Sequence, residues 1–457
     1  MRTGELGYWW HSIGGASVSH PPLSGRSEAD VAIVGGGFTG LWTAYYLART
    51  EPGLRIVLLE RETLGYGASG RNGGWVSGFF SGSARRYARG GAGAVRALQG
   101  AMFETVSEIV RVLDREAIDA DLVLGGQLTV ALGAAQAARL RERVAKERAS
   151  GLREQDLRVL EPDELARRVR VAGASAASFT PHVARAHPAK LVRGLSEAVA
   201  RLGVRIHERT PVTELAAHRL ATPAGAVAAR WVVRATEGYT ADLPGLRRLL
   251  VPMNSSMIVT EPLPCSTWHE IGWQGQELIS DEAHVFVYLQ RTADGRIAIG
   301  GRGVPYRFAS RTGGGGEIAP STVASLQARL AAMFPAAAGA AIEHGWSGVL
   351  GVPRDWCVSV QADPASGLAW AGGYVGEGVA ASNLAARILC DLVLARESEL
   401  VALPWVGRSP RLWEPEPLRW SAIRGLYALY RRADANEAAS GRPSRLARLL
   451  DSAAGRS

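Results

Sequence analysis

The stretch DVAIVGGGFTG, residues 30–40, decides the fold. Its first five residues, Asp30–Val34, end in an unbroken apolar run, the pattern of a strand buried on both faces in a parallel sheet. Glycines at 35, 37 and 40 then follow in G-x-G-x-x-G spacing, and a helical pattern runs through Leu41–Arg49. A second apolar strand, Arg55–Leu59, ends at Glu60. Strand, glycine turn, helix and strand form a βαβ unit, and that context gives an otherwise weak glycine spacing its meaning. Gly35 permits the tight turn, Gly37 lets the backbone approach a pyrophosphate, and Gly40 lets the helix pack closely on the strand. The pyrophosphate is expected against the N–H groups and positive dipole end of the helix starting near Leu41, with Phe38 and Thr39 of the turn among the cofactor contacts. Glu60 is placed to accept hydrogen bonds from a ribose diol, with Arg61 beside it. A glycine-rich turn followed by a surface Glu is the bland alternative. The unit alone does not separate FAD from NAD.

Outward from this unit, residues 1–28 read as an irregular lead-in rich in Gly, Pro and Ser. Residues 65–80 are glycine-rich again. Helical spacing covers 92–118, Ala135–Ser150 and Lys190–Leu202, and apolar strands appear at Gly126–Val130, Val204–Glu208 and Trp231–Ala235. The EPDEL segment, Glu161–Leu165, reads as a helix start. From Met253 to Gly301 the pattern alternates, which predicts an antiparallel sheet distinct from the parallel one. Ser321–Met333 is helical, and another helix runs over about Val379–Leu394. From Pro404 the chain is helical and basic, broken at Gly441–Pro443.

The 457 residues exceed one compact core, so two intertwined domains are expected. With 47% hydrophobic and 21% charged residues and a mean hydropathy of +0.00, the chain is globular in composition. Its net charge of +9 is almost all arginine, since Lys146 and Lys190 are the only lysines. No uninterrupted basic run occurs, so nucleic acid is not an expected partner. Three widely spaced cysteines, Cys265, Cys357 and Cys390, argue against a disulfide framework or a metal site and for a reducing compartment, the cytoplasm. The N-terminus does not read as a signal peptide, and no apolar stretch reaches the roughly eighteen residues of a membrane span.

The second glycine-rich stretch narrows the cofactor. VAIVGGGFTGLWTAYYLA (31–48), LLERETLGYGASGRNGG (58–74), RATEGYT (234–240), VPMNSSMIVTEPL (251–263), GGRGVPY (300–306), WSGVLGVPRDW (346–356) and AGGYVGEGVAASN (371–383) occur in this order. Together they resemble the D-amino acid oxidase-like FAD-dependent oxidoreductases, closest to the branch with γ-glutamylputrescine oxidases and related amine oxidases. The resemblance implies an α/β fold. A discontinuous Rossmann-like FAD-binding domain (1–85, 165–250 and 340–395) carries an inserted antiparallel-sheet substrate domain (86–164 and 251–339). A C-terminal helical tail (396–457) follows.

By the same resemblance, Ser69, Gly70, Arg71, Asn72, Gly73 and Gly74 run along the pyrophosphate, ribityl chain and flavin ring. The adenine packs at Thr210–Val212, with Val212 against it. Ala235–Gly238, with Thr236 and Gly238 as contacts, close over the ribose and pyrophosphate. Gly373, Tyr374, Gly376, Glu377 and Gly378 pass the pyrimidine edge, and the helix from Val379 points its positive end at the ring. The FAD is expected to be non-covalent. Ser69–Trp75 holds no His, and Cys357 lies later than the attachment cysteine of some relatives. Val379–Ala380–Ala381 stands where some amine oxidases place a Lys, which weakens a sarcosine-like assignment.

On the substrate side the candidates are Arg302, to hold an anion bidentately, His344, for proton handling, and Trp346 and Tyr374, flanking the ring. Each has a bland counterpart in core or surface packing. The expected reaction is oxidation of a small primary or secondary amine or amino acid, with O2 the expected acceptor. Rival readings are a dehydrogenase serving a quinone or carrier protein and an NAD(P)H-dependent hydroxylase. The basic tail either rests on an anionic membrane surface or caps the FAD domain with its arginines in water.

Overall fold

The computed structural model describes residues 1–16, 20–88 and 91–454. Strand Gly25–Val34 is central to an eight-stranded sheet, parallel to Ile56–Leu59 on one side and Gly225–Arg234 on the other. Arg205–His207 extends this parallel set, and Leu368–Gly372 joins it beside Val232–Arg234. The apolar run that predicted burial on both faces is buried throughout Val31–Val34. Helix Phe38–Thr50 starts three residues before the predicted Leu41, because Gly37 is extended and serves as its N-cap. It packs against helix Gly378–Val393, itself almost wholly buried.

The second sheet has nine strands, in the order 2–3, 342–352, 251–260, 297–301, 287–291, 278–281, 127–132, 174–180 and 158–160. Between 251 and 301 the pairing is antiparallel, as the alternation requires. Two parallel pairs flank it, Leu278–Asp281 with Gln127–Leu132 and Arg2–Thr3 with Ile342–Val352. The chain crosses between the layers more often than contiguous blocks suggest. Ile342–Val352, inside the stretch 340–395, pairs with Val251–Thr260 of the nine-stranded sheet. Helix Ala92–Glu116, inside 86–164, packs on Gly378–Val393.

The lead-in is not irregular. Residues 17–19 lie outside the described set, but Tyr8–His11 is a helical turn whose Tyr8, Trp9 and Trp10 are buried. Trp9 Nε1 donates to Asn72 O at 2.8 Å, and Trp10 fills the space beside Gly65 and Gly70. Aromatic burial overrides the loop-like composition here: Trp9, Trp42, Trp346 and Trp405 are fully buried in one core.

At the other end, helices Leu418–Ser440 and Arg445–Ala454 break at 441–443 as predicted. Ile423, Tyr427 and Tyr430 face inward while Arg424, Arg431 and Arg432 are exposed. No helix among the described residues is long and apolar enough to cross a membrane.

Trp9 lies beneath the glycine loop, so Trp9→Ala leaves a cavity there. The expected cost is about 3–5 kcal/mol in denaturant unfolding. A cost below about 1 kcal/mol would mean that the N-terminal turn is not an integral part of the core.

Candidate active site

The main cavity opens at the carboxyl ends of the parallel strands, where Val34, Leu59 and Ala235 reach its wall. This is where an open α/β sheet binds ligands. Its floor is the glycine turn. A Cβ on Gly40 would stand 1.9 Å from the Gly35 carbonyl oxygen, and one on Gly35, at φ +109°, would stand 2.6 Å from Ala235 O. Neither position tolerates a side chain. Gly37 faces Ser69, whose Oγ accepts from Phe38 N at 2.8 Å. A Cβ there would fill the gap, 2.8 Å from that oxygen. The first turn of helix Phe38–Thr50 thus presents its amide end to an open cradle.

Glu60 lines the cavity and accepts from Gly36 N at 2.7 Å and Glu62 N at 2.9 Å. Burial pushes its carboxyl up, with those two amides pulling the other way. Arg61 pairs with Asp242 at 3.0 Å and stacks on Tyr239. Val212, Thr210, Thr236 and Gly238 also line the cavity, as do Tyr374, Gly376, Gly378 and Val379. Tyr374 Oη lies 3.1 Å from Thr39 Oγ1, joining the two ends of the cradle.

The second glycine loop divides. Ser69 and Asn72 line the cavity. Gly70 packs on Trp10, Gly73 faces the Tyr288 ring, and Gly74, at φ +71°, sits against Ala186 O and Gln290. Arg71 is buried away from the cavity lining. Its Nη2 donates to Glu5 O at 2.8 Å and its guanidinium covers the Tyr66 ring at 4.4 Å. Gly373 and Glu377 are not among the lining residues.

The substrate-side candidates also part company. Trp346 is fully buried, donates from Nε1 to Arg71 O at 2.9 Å, and packs edge-on to Trp9. His344 lies beside His11, at 4.8 Å between ring centroids, and opposite Arg2. Burial, with His11 and Arg2 nearby, lowers it to about 4, so it is neutral at pH 7. Neither lines the cavity. Arg302 does approach it: Nη2 donates to Val375 O at 3.4 Å, and its buried Nη1 has no hydrogen-bond partner among the described residues.

Sequence reasoning included Glu237 only within the stretch Ala235–Gly238 and gave its carboxylate no role. Its two oxygens accept from Gly373 N and Tyr374 N, both at 3.1 Å, across a separation of 136 residues in the first case. Gly351 and Gly372 leave room for the carboxylate, since a Cβ on them would lie 2.5 and 2.9 Å from its Oε2. The signal was an acid three residues after the strand Gly225–Arg234.

Open glycine cradle, helix amides, two buried carboxylates and an aromatic end suit a flavin dinucleotide. The pattern of the family described as FAD dependent oxidoreductase (DAO) matches residues 30–392. The chain belongs to that family. Its cofactor is FAD, and it is an oxidoreductase. γ-Glutamylputrescine oxidoreductase of Escherichia coli is 30% identical over 389 residues, 81% of this chain and 85% of that protein. A probable oxidoreductase, OrdL, of Haemophilus influenzae is 28% identical over 83% of this chain and 86% of its own length. The fold is that of glycine oxidase from Geobacillus kaustophilus, with a TM-score of 0.70 at 23% identity over 83% of this chain and 98% of that one.

Burial raises Glu237 to about 7 from an ordinary 4.5, against the pull of the Gly373 and Tyr374 amides and Arg234. The folded protein therefore holds this proton more tightly than the unfolded chain. Stability from this group is complete below pH 4.5 and declines as pH rises towards 7. Glu237→Gln removes the decline. The variant should gain stability relative to the parent across that window, read by denaturant titration of apoprotein at several pH values. A difference independent of pH would mean that Glu237 is ionised in the folded state throughout.

Proposed function

We propose that this protein oxidises a small primary or secondary amine or amino acid to an imine, which water hydrolyses to a carbonyl compound. The observation that carries the reading is Arg302, whose Nη1 is buried without a hydrogen-bond partner among the described residues, beside the Val375–Gly376 loop. A buried guanidinium nitrogen without an acceptor is costly unless an anion completes it, and the planar fork suits a carboxylate. Glycine and γ-glutamylputrescine, named for two of the similar proteins, each carry an amine and a carboxylate. Arg302 would hold the carboxylate and so orient the amine.

FAD, when bound, supplies the two-electron acceptor for the hydride on the carbon next to nitrogen. The chain's own groups prepare the substrate. An ammonium has no lone pair to drive hydride loss, so the site must favour the neutral amine. Tyr288 faces Gly73 and Gly300, stands edge-on to Trp75, and supports this by excluding water. Its hydroxyl pairs with Ser255 at 2.8 Å, which fixes the ring.

In this reading Glu60 takes the ribose diol, the Phe38–Thr39 amides take the pyrophosphate, and Val212 packs on the adenine. Ser69 and Asn72 lie along the linking chain, and Tyr374, Gly376, Gly378 and Val379 lie at the flavin end. The FAD is held without a covalent bond. Cys357 is buried beside Gly82 and Tyr87, and it is absent from the cavity wall. Dioxygen is the acceptor, so each amine consumes one O2 and one water and yields one peroxide. The cytoplasm is the compartment, in keeping with the free cysteines.

The test is anaerobic addition of amines and amino acids to the yellow holoprotein, then O2 uptake with peroxide assay on any that bleach it. Arg302→Ala should raise KM for an amino-acid substrate roughly 10- to 100-fold, the worth of a charged hydrogen bond. No bleaching by any amine would sink the reaction, and an unchanged KM would sink the role of Arg302. Bleaching without peroxide would move the electrons to a carrier.

A further inference from the structure

The segment from Trp413 to Glu437 lies beyond the family-matched residues 30–392, yet it grips the loops that carry the substrate-side groups. Val375 is buried in a cluster with Trp413, Ile423 and Tyr427 of this segment. Arg431 Nη2 donates to Gly303 O at 2.9 Å, one residue after Arg302. Asp434 accepts from the backbone amides of His284 and Val285 at 2.8 and 3.0 Å, shortly before Tyr288. Glu437 accepts from Arg139 at 2.6 Å and pairs with His284 Nε2 at 3.0 Å. The guanidinium already supplies the positive charge of this His–Asp–Glu cluster, so the cluster is a latch and not a cation site.

Glu416 is the centre of the grip. Its Oε1 accepts from Tyr306 Oη at 2.6 Å, Ala309 N at 3.1 Å and Arg419 Nη2 at 3.2 Å, and its Oε2 from Trp420 N at 3.0 Å. Ser310 N in turn donates to Tyr306 Oη at 3.0 Å. Ala309 and Ser310 are both left-handed, at φ +62° and +56°. Two successive non-glycine residues in that region are strained and persist only where the surroundings hold them. Here the holder is Glu416, and the strained turn closes the segment that Arg302 opens.

We infer that Trp413–Glu437 is the outer wall of the substrate end and that Glu416 is a positioning residue. By fixing residues 303–310, it keeps Arg302 against Val375 and sets the affinity for the substrate's anionic group. This rests on the reading of Arg302 given above. A passive cap makes a different prediction: its loss lowers thermal stability without separating KM from kcat.

The experiment compares holoenzyme with Glu416→Gln, Arg302→Ala and, as a control on the solvent face of helix Leu418–Ser440, Arg432→Ser. Four quantities are read: amide exchange of peptides covering 303–310, KM and kcat for an amine found in the panel, and benzoate affinity from the flavin spectrum. Glu416→Gln should speed exchange in 303–310 about 10-fold or more, as local opening becomes easier. KM and the benzoate Kd should rise about 10-fold, with kcat changed less than about twofold. Arg432→Ser should change none of these.

Unchanged exchange overturns the inference, as does faster exchange with KM and Kd unmoved. Failure of the underlying reading looks different: parent and Arg302→Ala then bind benzoate equally weakly while the exchange result still reports on Glu416. If Glu416→Gln loses FAD, Tyr306→Phe repeats the test, since it deletes only the hydroxyl linking Glu416 to Ser310.

Discussion

Everything in the molecule depends on the approach of one helix to one strand. Helix Phe38–Thr50 can lie against strand Gly25–Val34 only because Gly40 has no side chain to strike the Gly35 carbonyl. That contact sets where the first helical amides point, and the cavity is the space they point into. The parallel sheet on one side and helix Gly378–Val393 on the other are then fixed by packing against this pair. Close packing makes the arrangement discrete: the helix either sits on the strand or does not.

Two buried carboxylates do for the surrounding loops what capping residues do for helices. Glu60 takes the amides of Gly36 and Glu62, and Glu237 takes those of Gly373 and Tyr374. Loops that lack ladder partners satisfy their backbone this way. The cost is desolvation of the acid, visible in the raised proton affinity of both. Removing such a carboxylate frees two amides at once, which is why these loops are rigid without regular structure.

Much of this could be read from the chain because the signals were local. The apolar run at Val31–Val34, the glycines and Glu60 lie within one supersecondary unit, and their spacing states their geometry. Arg302 was legible as a cation just after a strand. Glu237 was not, because its partners at 373–374 are distant in sequence and offer only backbone amides. Trp346 and His344 sit on a strand whose orientation depends on what covers it, and composition gave no hint that Tyr8–Trp10 would do so. Arg71, counted among the cofactor contacts, turns instead to Glu5 and Tyr66, partners that a loop reading does not supply.

The pairing of Gly25–Val34 with Gly225–Arg234 carries a consequence for synthesis on the ribosome. Roughly 190 residues must emerge before the central strand gains its second neighbour, a wait of about 10–40 s at translation rates. During that interval one edge of a strand with the apolar run Val31–Val34 is open, the kind of edge that recruits other chains. Helix Gly378–Val393 arrives later still, so the nucleotide cavity is among the last features to close. Cofactor added during expression therefore acts on a late folding step, drawing nearly finished chains into the native state by mass action.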